Sequence, residues 1–112
     1  MTQKGQTGGY ACSGLINPGS STDAYGNPQI TFNPVPAQCN ELVVDATIYD
    51  ENMTKYGSHR FGLHTGDTSF SLSGMLPNTP TGPRSAQVLL SYPELPHTQY
   101  NSQQIGVNYT AH

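Results

Sequence analysis

The side chains best suited to proton transfer in this chain are four histidines and seven carboxylates. A set built from His59, Arg84, Glu94 and His97 would supply a base, an acid and a cation, as a small secreted nuclease requires. Their local spacing matches no catalytic motif. The chain also has neither a G-x-S-x-G sequence nor a phosphate-binding glycine loop. The sequence therefore predicts a protein that is not an enzyme.

Metal binding is the second chemistry that these residue types allow. The spacing His64, ten residues, Met75, twenty-one residues, His97 resembles the first three ligands of the periplasmic copper-chaperone domain, and imidazole and thioether suit Cu(I). The fourth ligand of that family is a Met two residues after the second His, where this chain has Gln99. His59 and His64 would lie on opposite faces of one extended strand. We predict no cofactor. If the protein does bind copper, its ligands would be His64, Met75 and His97.

The aspartates have structural interpretations. Asp23, Asp50 and Asp67 fall in predicted loops and carry the oxygen ligands that calcium prefers, but no D-x-D-x-D-G motif surrounds them. Asp45 interrupts the strongest predicted strand, and we expect it to form an exposed ion pair with Arg60 across a hairpin. Such a pair stabilises a fold by under about 1 kcal/mol.

Three long loops are more plausible functional surfaces, at residues 17–27, 76–84 and 93–102. Long loops in small domains are usually functional or mobile. The third loop contains two prolines, so it would lose little entropy on binding a partner. The alternative is that its apolar side chains only cover the end of the domain. The predicted binding residues are Leu95, His97, Tyr100 and Tyr25.

The two cysteines and the low charge suggest an exported protein. Cys12 and Cys39 would close a loop of 27 residues, and a disulfide there would stabilise the fold by roughly 3–4 kcal/mol. Only 10% of the residues are charged. Residues 1–8 lack the apolar segment of a signal peptide. From the cysteines and the low charge we nevertheless expect a secreted or cell-surface protein, and its leader would be absent from this chain.

Composition also excludes two classes of partner. With four Lys and Arg in all and a net charge of −3, the chain has no basic patch, so we expect no nucleic-acid binding. No run approaches the roughly 18 apolar residues of a membrane span.

The elements that must position these residues are predicted to be strands. In residues 41–63, Leu42, Val44, Ala46 and Ile48 alternate with less apolar residues, and a turn then leads into a second strand. No window has a helical period. Further strands are predicted at residues 10–16, 29–32, 68–74, 85–92 and 104–111.

About seven short strands predict an all-β, antiparallel β-sandwich of immunoglobulin or fibronectin type III size, with a small β-barrel as the alternative. Residues 1–9 would be a mobile N-terminal arm and residues 10–112 a single domain. The predicted function is a non-enzymatic extracellular binding, adhesion or structural module that binds another protein or a surface glycan. Self-association through an edge strand, at residues 29–32 or 104–111, is a variant of it. The alternative is a secreted inhibitor acting through residues 93–100, and a copper-binding domain is the weaker alternative.

Overall fold

The computed structural model describes residues 6–7, 10–11, 16–93 and 102–111, with side chains for the last two ranges. The regular structure in these ranges is almost entirely strand. The elements are β1 (Gln6–Thr7), β2 (Tyr10–Ala11), β3 (Gly19–Thr22), β4 (Pro28–Thr31), a 3-10 helix (Ala37–Cys39), β5 (Leu42–Tyr49), β6 (Lys55–Leu63), β7 (Ser69–Ser71), β8 (Gly82–Ser91) and β9 (Ser102–Ala111).

Two antiparallel sheets form the body of the domain. One has three strands in the order β3-β4-β7, and the other has four in the order β6-β5-β8-β9. β1 and β2 pair separately with each other. The seven strands of the two sheets confirm the predicted β-sandwich. No helix in the described ranges is long and apolar enough to cross a membrane.

The centre of the larger sheet follows directly from the period-two alternation of the sequence. β5 pairs with β8 so that Ala46 lies opposite Leu90 and Ile48 lies opposite Val88. All four side chains are buried, because alternate residues of a strand point to the same face. The alternation predicted for these two strands is therefore confirmed.

The core lies between the two sheets. Its fully buried side chains come from both sheets and from the segments that connect them, and burial of this apolar surface is the main force holding the sheets together. The largest are Tyr92, Ile16, Ile30, Leu42, Ile48, Leu72, Leu90, Val35, Val44, Val88 and Val107.

The two sides of the sandwich are closed differently. On one side β3 lies along β9, and the Ser20 hydroxyl donates a hydrogen bond of 2.9 Å to the Gly106 carbonyl. On the other side Phe61 of β6 stacks on Phe70 of β7 with ring centroids 4.2 Å apart. The edge of β9 is therefore partly covered by a neighbouring strand.

Two of the predictions about strands and loops are wrong, and one is confirmed. The predicted loop at residues 17–27 contains strand β3, so that prediction is wrong. Residues 29–32 are not an edge strand, because β4 lies between β3 and β7, whereas the edge position predicted for residues 104–111 is confirmed by β9. The predicted boundary at residues 9 and 10 falls between the paired strands β1 and β2; whether the arm is mobile stays a prediction.

Candidate functional site

Two turns with the same hydrogen bonds lie at one end of the sandwich. In the β3–β4 turn, Asp23 Oδ1 accepts hydrogen bonds from the backbone N–H groups of Tyr25 and Asn27, at 2.8 and 2.9 Å. In the β5–β6 turn, Asp50 Oδ1 accepts from the backbone N–H groups two and four residues on, also at 2.8 and 2.9 Å. In both turns the aspartate N–H also donates to the carbonyl four residues on. These bonds explain why an aspartate begins each turn, and they lower the pKa of Asp23.

The two turns differ at their fourth residue, which has a left-handed backbone in both. Gly26 occupies it in the first turn with φ 82°, and Met53 occupies it in the second with φ 61°. Glycine adopts this conformation freely, whereas another L-residue is strained by about 1–2 kcal/mol. The Met53 side chain is 52% exposed, so burial does not account for a methionine there. A strained residue with an exposed apolar side chain points to a function for that side chain.

A β-bulge at the start of β6 presents a third exposed side chain. Gly57 lies opposite Ile48 and Lys55 lies opposite Tyr49, so Tyr56 is the extra residue. Bulges re-aim side chains and are common next to functional sites. Here the bulge leaves Tyr56 54% exposed.

Tyr25, Met53 and Tyr56 are the exposed large hydrophobic residues of the described ranges, and all three lie at the same end of the sandwich. The β5–β6 turn reaches the start of β8, since the Ser85 N–H donates to Glu51 Oε2 at 3.3 Å. The β3–β4 turn reaches the same strand end, because Gly26 lines a groove together with Pro83 and Thr110. We call this end, formed by residues 23–27, 50–56, the start of β8 and the end of β9, the turn end.

The first groove of the turn end is open and measures about 680 Å³. An ion pair lies in it. The Arg84 guanidinium donates to both carboxylate oxygens of Glu51, at 3.1 and 2.8 Å, and also to the Thr79 carbonyl. Only 11% of the Arg84 side chain is exposed. The groove is lined by Thr22, Gly26, Glu51, Pro83, Arg84, Ser85, Asn108, Tyr109 and Thr110.

This ion pair is a structural part of the turn end. Hydrogen bonds from Arg84, then from the backbone N–H of Glu51 itself and from the N–H of Ser85, hold the pKa of Glu51 down at about 2, from an ordinary value of 4.5. Arg84 is held by these contacts, so its guanidinium closes the end of the sandwich and is poorly placed to bind a ligand anion.

The second groove adjoins the first and measures about 270 Å³. Its floor includes buried Leu72, Leu76 and Pro77, and the rings of Tyr56 and Tyr109 also line it. The Tyr109 hydroxyl donates to the Pro77 carbonyl at 2.5 Å, which fixes that ring. The rest of the lining is Asn27, Pro28, Ser73, Gly74, Asn78, Thr110 and Ala111. An apolar floor with a polar rim is the usual composition of a ligand or peptide site.

Of the predicted binding residues, Tyr25 lies at the turn end and is 90% exposed. Leu95, His97 and Tyr100 lie outside the described residues. The chain leaves the described part at Pro93 and re-enters it at Ser102, at the opposite end of β8 and β9 from the turn end. The structure therefore does not bring that loop's attachment points near Tyr25, and the inhibitor hypothesis stays a prediction.

The candidate copper ligands are spread along the molecule. His64 follows the last residue of β6 and is exposed beside Asp67, with 3.8 Å between Nδ1 and Oδ2. Met75 is half-buried against the core, and the residues on both sides of it line the second groove beside Tyr56. The eight residue-to-residue steps from Tyr56 to His64 span about 26 Å of extended strand. His97 lies outside the described residues. Within those residues no group of three His, Cys, Asp or Glu side chains could hold a metal ion.

The other candidate residues have structural partners. Asp45 pairs with Arg60 across the hairpin as predicted, through two hydrogen bonds of 2.7 and 3.0 Å. Asp67 accepts a hydrogen bond from the backbone N–H of His64 at 2.8 Å, so it stabilises a turn as Asp23 and Asp50 do. Glu94 of the nuclease set lies outside the described residues.

The cysteine prediction concerns one described residue. Cys39 ends the 3-10 helix and is fully buried in the core. Cys12 lies outside the described residues, so their pairing stays a prediction.

Sequence reasoning missed Met53 and Tyr56. Both turns are five-residue segments that begin with Asp, at residues 23–27 and 50–54. Aligning these two segments places Met53 at the position where the first turn has glycine. The bulge that re-aims Tyr56 depends on the register between two strands, and no local residue type indicates it.

Comparison with known proteins gave no match, either to a protein-family model, to a curated protein or to a solved structure.

Proposed function

We propose that this protein is a non-enzymatic extracellular binding module that engages another protein through its turn end. The observation that carries the proposal is the grouping of three exposed side chains, Tyr25, Met53 and Tyr56, at one end of the sandwich. Tyr56 lines the second groove, and the turns that carry Tyr25 and Met53 contribute Gly26 and Glu51 to the first. Tyrosine and methionine are enriched in protein interfaces relative to the rest of a protein surface.

The construction of the turn end favours a partner that binds to a preformed surface. Aspartate hydrogen bonds fix the two turns, and the Glu51–Arg84 pair fixes the strand ends beside them. A surface that is already ordered loses little conformational entropy when it binds. A few large side chains on such a surface can therefore provide most of the binding free energy.

An extracellular location is supported by composition and by the cysteines. Charged residues are 10% of the chain, against about 25% in typical soluble domains. Buried Cys39 is not a free thiol, which supports a disulfide with Cys12. The intact mass of protein from its own source would be two hydrogens lower than the reduced mass if this bond forms.

Selection from a random-peptide phage library against the immobilised protein tests the proposal. We expect the selected peptides to bind the turn end, because peptides collect on surfaces with ordered apolar hot spots. The variant Tyr25→Ser/Tyr56→Ser should bind them at least tenfold more weakly, since truncation of a hot-spot residue costs more than about 1 kcal/mol. Both side chains are more than half exposed, so the variant should fold normally.

The matched control is His64→Ser, which changes an exposed side chain at the other end of β6. It should leave peptide binding unchanged. Peptides that bind both variants equally well would contradict the proposal. A glycan array with the same variants separates the two partner classes: a glycan signal lost in the tyrosine variant, without peptide enrichment, would make the partner a glycan.

A further inference from the structure

Strand β6 is a long sheet edge with an open side. It has nine residues and pairs with β5, and no other strand of the described ranges pairs with it. The other edge of the same sheet, β9, is partly covered by β3. β3 and β7, the edges of the smaller sheet, have only four and three residues. β6 contains no proline, and its lysine and its bulge lie at its first two residues, so the middle of the strand has little of the protection that natural edge strands usually carry.

The sequence of β6 is complementary to itself when two copies run antiparallel with His59 at the centre. In this register Tyr56 lies opposite Gly62 of the other copy, and Gly57 lies opposite Phe61. Ser58 similarly lies opposite the long side chain of Arg60. Three of the bulky side chains, Tyr56, Arg60 and Phe61, thus have a small residue across from them, and aromatic residues opposite glycines are favourable cross-strand pairs.

We propose that a second copy of this chain binds along β6, forming an antiparallel β6–β6 pair with its two-fold axis at His59. The larger sheet would then continue across the axis as eight strands. Lys55 and Tyr56, at the outer end of this pair, also belong to the turn end, and Tyr56 lines its second groove. The five residues from Gly57 to Phe61 line neither groove, so the proposal does not depend on the proposed function.

Charge supports this register over its neighbours. The Arg60 guanidinium is already paired with Asp45 at 2.7 Å, and Lys55 would lie opposite Leu63. A register centred on Arg60 would place two arginines directly opposite each other, which is destabilising. A register centred on Ser58 would pair seven of the nine strand residues, whereas the register centred on His59 pairs all nine.

The bulge at Tyr56 does not interrupt the middle of the strand. From Gly57 to Phe61, β6 stays in continuous register with β5, opposite Ile48 to Val44. These five residues are therefore regular strand and can accept a second ladder. The bulge affects the outermost pairs, in which Tyr56 and Lys55 take part.

Sedimentation equilibrium of the full chain tests the association. Two histidine-to-lysine variants, which differ only in the position of the substitution, are compared with wild type. Wild-type protein should form a concentration-dependent dimer. His59→Lys should weaken it by about two- to fivefold, because it places two like charges opposite each other at the axis. His64→Lys makes the same change in an exposed histidine beyond the end of β6, and it should leave the dissociation constant unchanged.

Cysteine crosslinking tests the register. Residues directly opposite in an antiparallel pair have Cβ atoms about 4.5–5.5 Å apart, so two copies of His59→Cys should form a covalent dimer under mild oxidation. In His64→Cys the two cysteines would be ten residues apart along the strands, about 33 Å, and should not crosslink above the wild-type background. A wild-type monomer at millimolar concentration, or a dimer that neither His59 variant affects, would overturn the proposal.

Discussion

Replacing Met53 by glycine should stabilise this protein. Met53 has a left-handed backbone with φ 61°, and the equivalent residue of the other turn is Gly26 with φ 82°. The two turns share their hydrogen bonds, so the substitution converts one turn into the backbone form of the other. The lost side chain is 52% exposed, and its removal exposes little core.

The size of the effect follows from two opposing terms. A left-handed conformation costs a residue other than glycine about 1–2 kcal/mol. Glycine in turn loses more conformational entropy on folding, by roughly 0.5–1 kcal/mol. The net expectation is a gain of about 0.5–1 kcal/mol in the free energy of unfolding, which corresponds to a rise in Tm of about 2–6 °C for a domain of this size.

The reverse substitution provides the matched control. A Cβ atom at Gly26 would meet no atom within 4 Å, so Gly26→Ala tests the backbone conformation alone. It should lower the free energy of unfolding by about 0.5–1 kcal/mol, from the same two terms.

Urea unfolding of the three proteins, followed by circular dichroism, measures both changes. If Met53→Gly is less stable than wild type, the methionine side chain stabilises the fold and the strain argument is refuted. If the variant is more stable but binds turn-end peptides less well, the strain at this position is retained for function.

Two further predictions concern groups held by hydrogen bonds. The pKa of Glu51 is lowered from 4.5 to about 2, so the stability from its ionised form is fully present above pH 4.5 and is lost as the pH falls towards 2. Tm should therefore fall less between pH 5 and pH 2 in Glu51→Gln than in wild type, and parallel Tm profiles would contradict this account. The buried Tyr92 hydroxyl donates to Gln103 Oε1 at 2.7 Å, and desolvation raises the pKa of this phenol. Tyr92→Phe should cost about 1 kcal/mol in chemical denaturation, and an unchanged midpoint would show that this bond contributes nothing.

The sequence predicted the parts of the fold whose side chains alternate in polarity. β5 and β8 have this alternation along most of their length, and their buried faces follow from it. Strand β3 could not be recognised, because its sequence is Gly-Ser-Ser-Thr and its side chains are mostly exposed. Its pairing with β4 and its contact with β9 hold it in place, and β9 is distant in the sequence.

The candidate site was partly predictable for similar physical reasons. Tyr25 stands in a segment rich in glycine and serine, so its exposure could be expected. The Asp45–Arg60 pair could be expected once the hairpin was recognised. The grouping of Tyr25 with Met53 and Tyr56 depends on how two sheets align at one end of the sandwich, and local sequence does not contain that information.

The most direct test of the proposed function is the affinity of one selected peptide for wild-type protein and for Tyr25→Ser/Tyr56→Ser, measured by isothermal titration calorimetry. If the turn end is the binding surface, the variant should bind the peptide at least tenfold more weakly than wild type. Its circular dichroism spectrum and its Tm should be unchanged. Equal affinities for the two proteins would contradict the proposed role of the turn end.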